Sequence, residues 1–122
     1  MRKLIGIIVA FLLLVGCSST TSFGSINYDE ALKLISEEQA LIIDVRSVNE
    51  YETSHIKDSI NVPVNTINLE TIEQIIESKQ KNIIVYCRSG NRSKQAAQIL
   101  VDFGYTNVFD LGSINNWNGE TE

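Results

Sequence analysis

Basic side chains are scarce in this chain: 10 Lys and Arg face 15 Asp and Glu, for a formal charge of −5 at neutral pH. A protein with that balance has no general attraction for nucleic acid or anionic lipid. Cysteine is scarcer, at two residues, Cys17 and Cys87, so no dense disulfide framework holds the chain together. There is one histidine, His55, and one proline, Pro63, and no internal repeat. A hydrophobic run long enough to cross a bilayer is also missing. The apolar stretch Leu4–Val15 covers 12 residues. As a helix it spans roughly 18 Å, against a hydrocarbon core of about 30 Å. What remains is a chain of 122 residues with 43% hydrophobic content, a size that suits one domain with its own core.

The N-terminus reads as an address. Met1-Arg2-Lys3 followed by Leu4–Val15 has the basic and apolar regions of an export signal. Leu14-Val15-Gly16-Cys17, with Ser18 to Ser22 after it, resembles a bacterial lipobox. That resemblance implies cleavage before Cys17 and lipidation of Cys17; the alternative is an ordinary secretory signal that contains a cysteine. Each buried methylene of an acyl chain contributes about 0.8 kcal/mol, so a multiply acylated cysteine holds a protein on a membrane without a spanning helix. The expected organisation is a signal peptide over 1–16, a lipidated N-terminus and polar tether over 17–25, and a folded domain over 26–119. The expected location is extracytoplasmic, anchored to the cell membrane by lipid. Removal of 1–16 leaves 8 basic against 15 acidic side chains, a charge of −7. Cys87 then has no partner within the chain, and an unpaired thiol in an oxidising compartment invites a functional reading.

Beyond the tether, short apolar runs alternate with helical patterns. Asn27, with Glu30 three residues on, predicts a capped helix carrying Ala31, Leu32, Leu34 and Ile35. Ser47 and Glu50 predict a second capping box, and Asn68 a helix with Leu69, Ile72, Ile75 and Ile76 on one face. The residues 93–103 form the last predicted helix, ended by Gly104. Leu41–Val45 and Asn82–Tyr86 are uninterrupted apolar runs, the pattern of strands buried on both faces; Ser59–Val62, stopped by Pro63, and Thr106–Asp110 are shorter strand candidates. This order predicts an α/β fold, a parallel sheet flanked by helices on both faces. In such sheets the ligand crevice lies at the carboxyl ends of the strands. Arg46 and Cys87 both follow strand ends and are expected to converge there.

Cys87 sits between an apolar run and a helix start, in Val85-Tyr86-Cys87-Arg88-Ser89-Gly90-Asn91-Arg92-Ser93-Lys94. The unpaired amides and positive dipole end of a helix favour a thiolate, and Arg88 and Arg92 add positive charge. Such surroundings bring a thiol pKa from about 8.5 to between roughly 3.5 and 7.5, so Cys87 needs no general base. Gly90 permits positive φ and turns amides inward, making an anion cradle around the sulfur. Four residues separate Cys87 from Arg92. Protein tyrosine phosphatases resemble this arrangement but place five between Cys and Arg, leaving room for a tetrahedral phosphoryl group.

The stretch "CRSGNRS", residues 87 to 93, resembles the active-site loop of single-domain rhodaneses, which are sulfurtransferases. "IIDVRSVNEYETSHIKDSINVP", residues 42 to 63, is similar to the family's run of strand, Asp-x-Arg, acidic-aromatic pair, Gly-His-Ile and Asn-Ile-Pro, and "LGSINNWNGE", residues 111 to 120, to its closing segment. The likeness covers about residues 24–119. Ser54 and Ser113 replace family glycines, and Lys57-Asp58 stand where Pro-Gly is common, so that turn is expected to take backbone angles of its own.

The resemblance implies a three-layer sandwich and a ping-pong sulfur transfer through a persulfide on Cys87. The amides from Arg88 through Ser89, Gly90, Asn91, Arg92 and Ser93 are expected to bind the transferred sulfur, with Arg88 and Arg92 recruiting an anionic donor. Partners are a small-molecule sulfur donor, a thiol or cyanide acceptor, the membrane through Cys17, and an exported protein; no nucleic acid, metal or organic cofactor is called for. Asp44 and Arg46 are expected to support the site structurally, and His55 to hold its turn rather than move protons. Two other readings share the loop. One is a phosphatase or arsenate reductase, disfavoured by the short loop and by Tyr86 where those enzymes carry histidine. The other is a persulfide carrier or partner-binding module that does not turn over.

Overall fold

The computed structural model describes residues 22–122; the predicted signal peptide, Cys17 and most of the predicted tether lie outside the described residues. Five strands make one sheet in the order β1-β5-β4-β2-β3: β1 (Gly24–Ser25), β2 (Leu41–Asp44), β3 (Ile60–Asn61), β4 (Ile83–Cys87) and β5 (Val108–Ser113). Every pairing is parallel. The helices are α1 (Tyr28–Glu38), α2 (Val48–Thr53), α3 (Leu69–Ile75) and α4 (Asn91–Asp102).

Side chains alternate across the sheet and supply a core on each face. On one face Ile43, Val45, Ile83, Val85 and Val108 pack with Ile72 and Ile76 of the α3 segment and Ala96, Ala97, Leu100 and Val101 of α4. On the other, Ile42, Ile84, Tyr86 and Leu111 pack with Ala31, Leu34 and Ile35 of α1, and with Trp117. The result is the predicted three-layer α/β sandwich. Each fully buried isoleucine or leucine contributes roughly 1.5–3 kcal/mol, so the two apolar strands anchor both layers.

The predicted caps form. Asn27 accepts from the Glu30 N–H at 2.9 Å while the Glu30 carboxylate accepts from the Asn27 N–H at 3.1 Å. Asn68 accepts from the Thr71 N–H at 2.9 Å. None of the described helices is long and apolar enough to cross a membrane.

The structure changes or adds to this reading in several places. Gly24 and Ser25, assigned to the tether, form β1 against Phe109 and Asp110; a two-residue edge strand offers no periodicity to read. Past the expected boundary at 119, Thr121 bridges Ile56 and Glu122 exchanges two backbone hydrogen bonds with His55. Helix α4 begins at Asn91, two residues before the predicted start, since Gly90 takes φ +101° and serves as its N-cap. Finally, in the Lys57-Asp58 turn Asp58 adopts φ +66°, the left-handed conformation that glycine favours. Aspartate is among the residues that tolerate this region.

Candidate active site

Strand β4 runs one residue further than predicted and ends on Cys87 itself. Ile83, Val85 and Cys87 share a face, so the sulfur is delivered to the α4 side of the sheet, at the carboxyl edge. The chain then turns through Arg88-Ser89-Gly90 into α4. The positive φ of Gly90 is what reverses the backbone, and a side chain there would be strained. With that reversal the Gly90 N–H donates to Cys87 Sγ at 3.0 Å and the Ser93 N–H donates at 3.3 Å. Of the six amides expected around the sulfur, these two donate hydrogen bonds to it. The Ser93 hydroxyl also lies beside the sulfur; its proton goes to the Gly90 carbonyl at 3.1 Å and can turn to Sγ instead.

Cys87 is fully buried, which the polar sequence around it did not indicate, and it belongs to the apolar cluster of the α4 face. Burial pushes the thiol pKa up, but the Ser93 hydroxyl and the N–H groups of Ser93, Gly90 and Ser89 outweigh it, and the net shift is downward. Hydrogen bonding, rather than a neighbouring base, favours the thiolate.

Of the two loop arginines, only one faces open solvent. Arg88 is exposed, and its carbonyl accepts the Ser113 hydroxyl at 2.6 Å, so the serine in place of a family glycine ties β5 to the loop. Ser89 and Asn91 are exposed as well. Arg92 is half-buried and makes a bidentate pair with Glu50 of α2: Nη1 to Oε1 at 2.6 Å and Nη2 to Oε2 at 3.0 Å. Each of its two terminal nitrogens is thus engaged by one Glu50 oxygen. Glu50 also accepts from the Ser47 N–H at 3.2 Å and the Ser47 hydroxyl at 3.0 Å. The Arg92 hydrogen bonds, joined by those from Ser47, hold its carboxyl down at about 2 despite some desolvation.

Asp44 and Arg46 form a second pair, deeper in the molecule. Arg46 Nη2 donates to Asp44 Oδ2 at 2.7 Å and to the Ser54 carbonyl at 2.6 Å, and Nε reaches both Asp44 oxygens at 3.0 Å. The Tyr86 hydroxyl donates to Asp44 Oδ2 at 2.6 Å and accepts the Ile56 N–H at 3.0 Å, with the Ser59 hydroxyl 3.1 Å away. Burial, and then the bond to Asp44, push the Tyr86 phenol far up. The hydrogen bonds of the Arg46 side chain go to Asp44 and Ser54, so its expected convergence with Cys87 is only a shared edge of the sheet. His55 stacks on Tyr51 with ring centroids 3.7 Å apart; its Nδ1 lies 2.8 Å from the Tyr51 carbonyl and its Nε2 3.2 Å from Glu122. Those contacts hold the turn.

Glu50, Tyr86 and Ser113 are the residues that sequence reasoning missed. From sequence, Glu50 reads as a helix cap and as half of the acidic-aromatic pair, and Tyr86 as strand core and as the residue standing where phosphatases carry histidine; neither reading gives the partner each one meets. Among the described residues no group of three or more His, Cys, Asp or Glu is placed to hold a metal ion. What the loop offers is a buried sulfur that accepts two backbone hydrogen bonds, with the exposed Arg88 next to it in the chain.

Comparison with known proteins agrees with that geometry. Thiosulfate sulfurtransferase PspE of Escherichia coli K12 is 35% identical over 74 residues, covering 61% of this chain and 70% of that protein. The tRNA uridine(34) hydroxylase of Hamiltonella defensa is 32% identical over 85 residues, covering 67% of this chain; the chain spans only 24% of that protein's length. A solved rhodanese from E. coli, described with bound anions, superposes with a TM-score of 0.64 at 31% identity, over 68% of this chain and 96% of that one. Residues 27–120 match the family described as Rhodanese-like domain, and the chain belongs to it.

Proposed function

We propose that this protein is a sulfurtransferase that carries sulfane sulfur on Cys87. The observation that carries the reading is the pair of N–H groups, from Gly90 and Ser93, aimed at Cys87 Sγ. In the first half-reaction the Cys87 thiolate attacks the outer sulfur of a donor such as thiosulfate. A bond forms between the two sulfurs, the bond to the sulfonate sulfur breaks, and sulfite leaves with the electron pair. The terminal sulfur then bears the negative charge, and preorganised loop dipoles stabilise it without a proton transfer. In the second half-reaction cyanide or an acceptor thiolate attacks that terminal sulfur and Cys87 departs as thiolate. Exposed Arg88 attracts the anionic donor. The E. coli relative named a thiosulfate sulfurtransferase supports this donor class.

Incubation of the full-length chain with thiosulfate tests the reading. Mass spectrometry is expected to find one added sulfur on Cys87, lost on addition of cyanide and absent in Cys87→Ala. An unmodified wild-type chain overturns it.

One observation favours a second reading, a persulfide carrier that turns over slowly: the complete burial of Cys87 means that a donor reaches the sulfur only after the loop shifts. Steady thiocyanate production from thiosulfate and cyanide favours the enzyme, and a stoichiometric burst that stops favours the carrier. The lipobox-like run ending in Cys17 supports export and lipid anchoring; loss of acyl labelling in Cys17→Ser is the expected outcome.

A further inference from the structure

We propose that a cavity on the α1 side of the sheet, across from the Cys87 face, binds a small organic cation with an apolar body, such as a quaternary ammonium compound. Such a site is independent of the reaction at Cys87.

The cavity has a volume of about 350 Å³, at the lower end of the roughly 300–1,000 Å³ usual for small-molecule sites. Leu32 and Ile35 of α1 and Leu41 at the start of β2 line its body, and Tyr28 and Trp117 form an aromatic wall. Ile35 and Trp117 pack against the apolar cluster of the α1 face, whereas Cys87 belongs to the cluster across the sheet. Leu32 is 39% exposed, so a large apolar side chain meets solvent at the lip. A ligand that covers it removes that surface from water.

The aromatic wall is held in place by its neighbours. The Trp117 indole N–H donates to the Glu120 carbonyl at 3.1 Å, and its ring meets Tyr28 with centroids 5.0 Å apart and planes at 87°. Gly119 approaches the indole so closely that a Cβ there would stand 2.8 Å from two ring carbons. An indole fixed in this way loses little further freedom when a ligand packs against it.

Charge decides the ligand class. Lys57, Asp58 and Glu120 also line the cavity. Lys57 Nζ donates to Glu120 Oε2 at 3.0 Å, and Asp58 makes no ion pair among the described residues. The Lys57 ammonium is held above its ordinary pKa first by Glu120 and then by Asp58, with Glu122 adding to the same field. One ammonium thus stands among three carboxylates, and the mouth attracts positive charge. An apolar anion is repelled there, whereas a cation meets both the carboxylates and the aromatic wall.

Trp117 is the only tryptophan in the chain, so its emission reads occupancy directly. The full-length chain is titrated at low salt with benzyltrimethylammonium and, separately, with phenylmethanesulfonate, an anion of similar size. The cation is expected to change Trp117 emission saturably and to bind about tenfold more tightly than the sulfonate. Added salt is expected to weaken that preference, because the Asp58 and Glu120 carboxylates are exposed. Leu32→Lys places an ammonium at the lip and is expected to weaken cation binding about tenfold. Asp58→Asn combined with Glu120→Gln is expected to bring the two probes within roughly threefold of each other; asparagine tolerates the left-handed backbone of position 58. No saturable change with the cation, equal binding of the sulfonate, or unaltered cation binding in either folded variant overturns the proposal. Emission that shifts with protein concentration rather than with probe also overturns it, marking the cavity as a contact between copies of the chain.

Discussion

Two guanidinium–carboxylate pairs lie past the ends of neighbouring strands, Arg46 with Asp44 after β2 and Arg92 with Glu50 beside the β4–α4 loop. Both are close and bidentate, yet they do different things because they sit in different solvents. Asp44 is fully buried and Arg46 nearly so, and Tyr86 and the Ser54 carbonyl complete their hydrogen bonding. A pair desolvated to that extent holds backbone in place, and leaving one member alone is costly. The side chains of Arg92 and Glu50 are 33% and 29% exposed, so water screens their attraction and little of the stability depends on it. What that outer pair does is join α2 to the first turn of α4, beside the Cys87 loop.

The largest expected effect breaks the inner pair. Arg46→Ala leaves Asp44 charged and unpaired, and denaturant unfolding is expected to show a loss of about 3–5 kcal/mol. A loss below about 1 kcal/mol, the range of surface pairs, removes the distinction between the two. Next comes Tyr86→Phe, which strips a donor from Asp44 and leaves the buried Ile56 N–H without its acceptor; a loss of about 1–3 kcal/mol is expected in the same measurement.

The smallest effect sharpens the contrast from the outer side. Glu50→Gln is expected to cost about 1 kcal/mol or less at neutral pH. The Glu50 carboxyl lies at about 2 in the folded protein, below its ordinary 4.5. A depressed carboxyl contributes stability that is complete above its unfolded value and disappears as pH falls through the folded one. The stability difference between wild type and E50Q is therefore expected to be constant above about 4.5 and to vanish by about 2. A difference that stays flat through that interval, followed by far-ultraviolet dichroism in denaturant, shows that the charge of Glu50 adds no stability.

The two pairs also differ in how far sequence reveals them. Asp44 and Arg46 are two residues apart, and a structural role follows from their place after an apolar strand. Glu50 and Arg92 are 42 residues apart. The capping box at Ser47 was legible because a cap is a local pattern, but that the same carboxylate also reaches α4 was not. Tyr86 read as strand core, and its hydroxyl in the second network is a fact of sheet packing, since β2 and β4 place Asp44 opposite Tyr86. Ser113 read as a departure in a turn, whereas its hydroxyl holds the Arg88 carbonyl.

By itself the sequence determined the alternation of apolar runs and capped helices, and with it a parallel sheet that brings Cys87 to a strand–helix junction. These follow from hydrophobic period and cap chemistry, both set by residues within about four positions of each other. Only the tertiary structure decided that Cys87 is buried, that two amides meet its sulfur, and that Glu50 rather than solvent or substrate holds Arg92. The reason is distance along the chain: solvent exclusion and ion pairing depend on which segments the sheet order brings together.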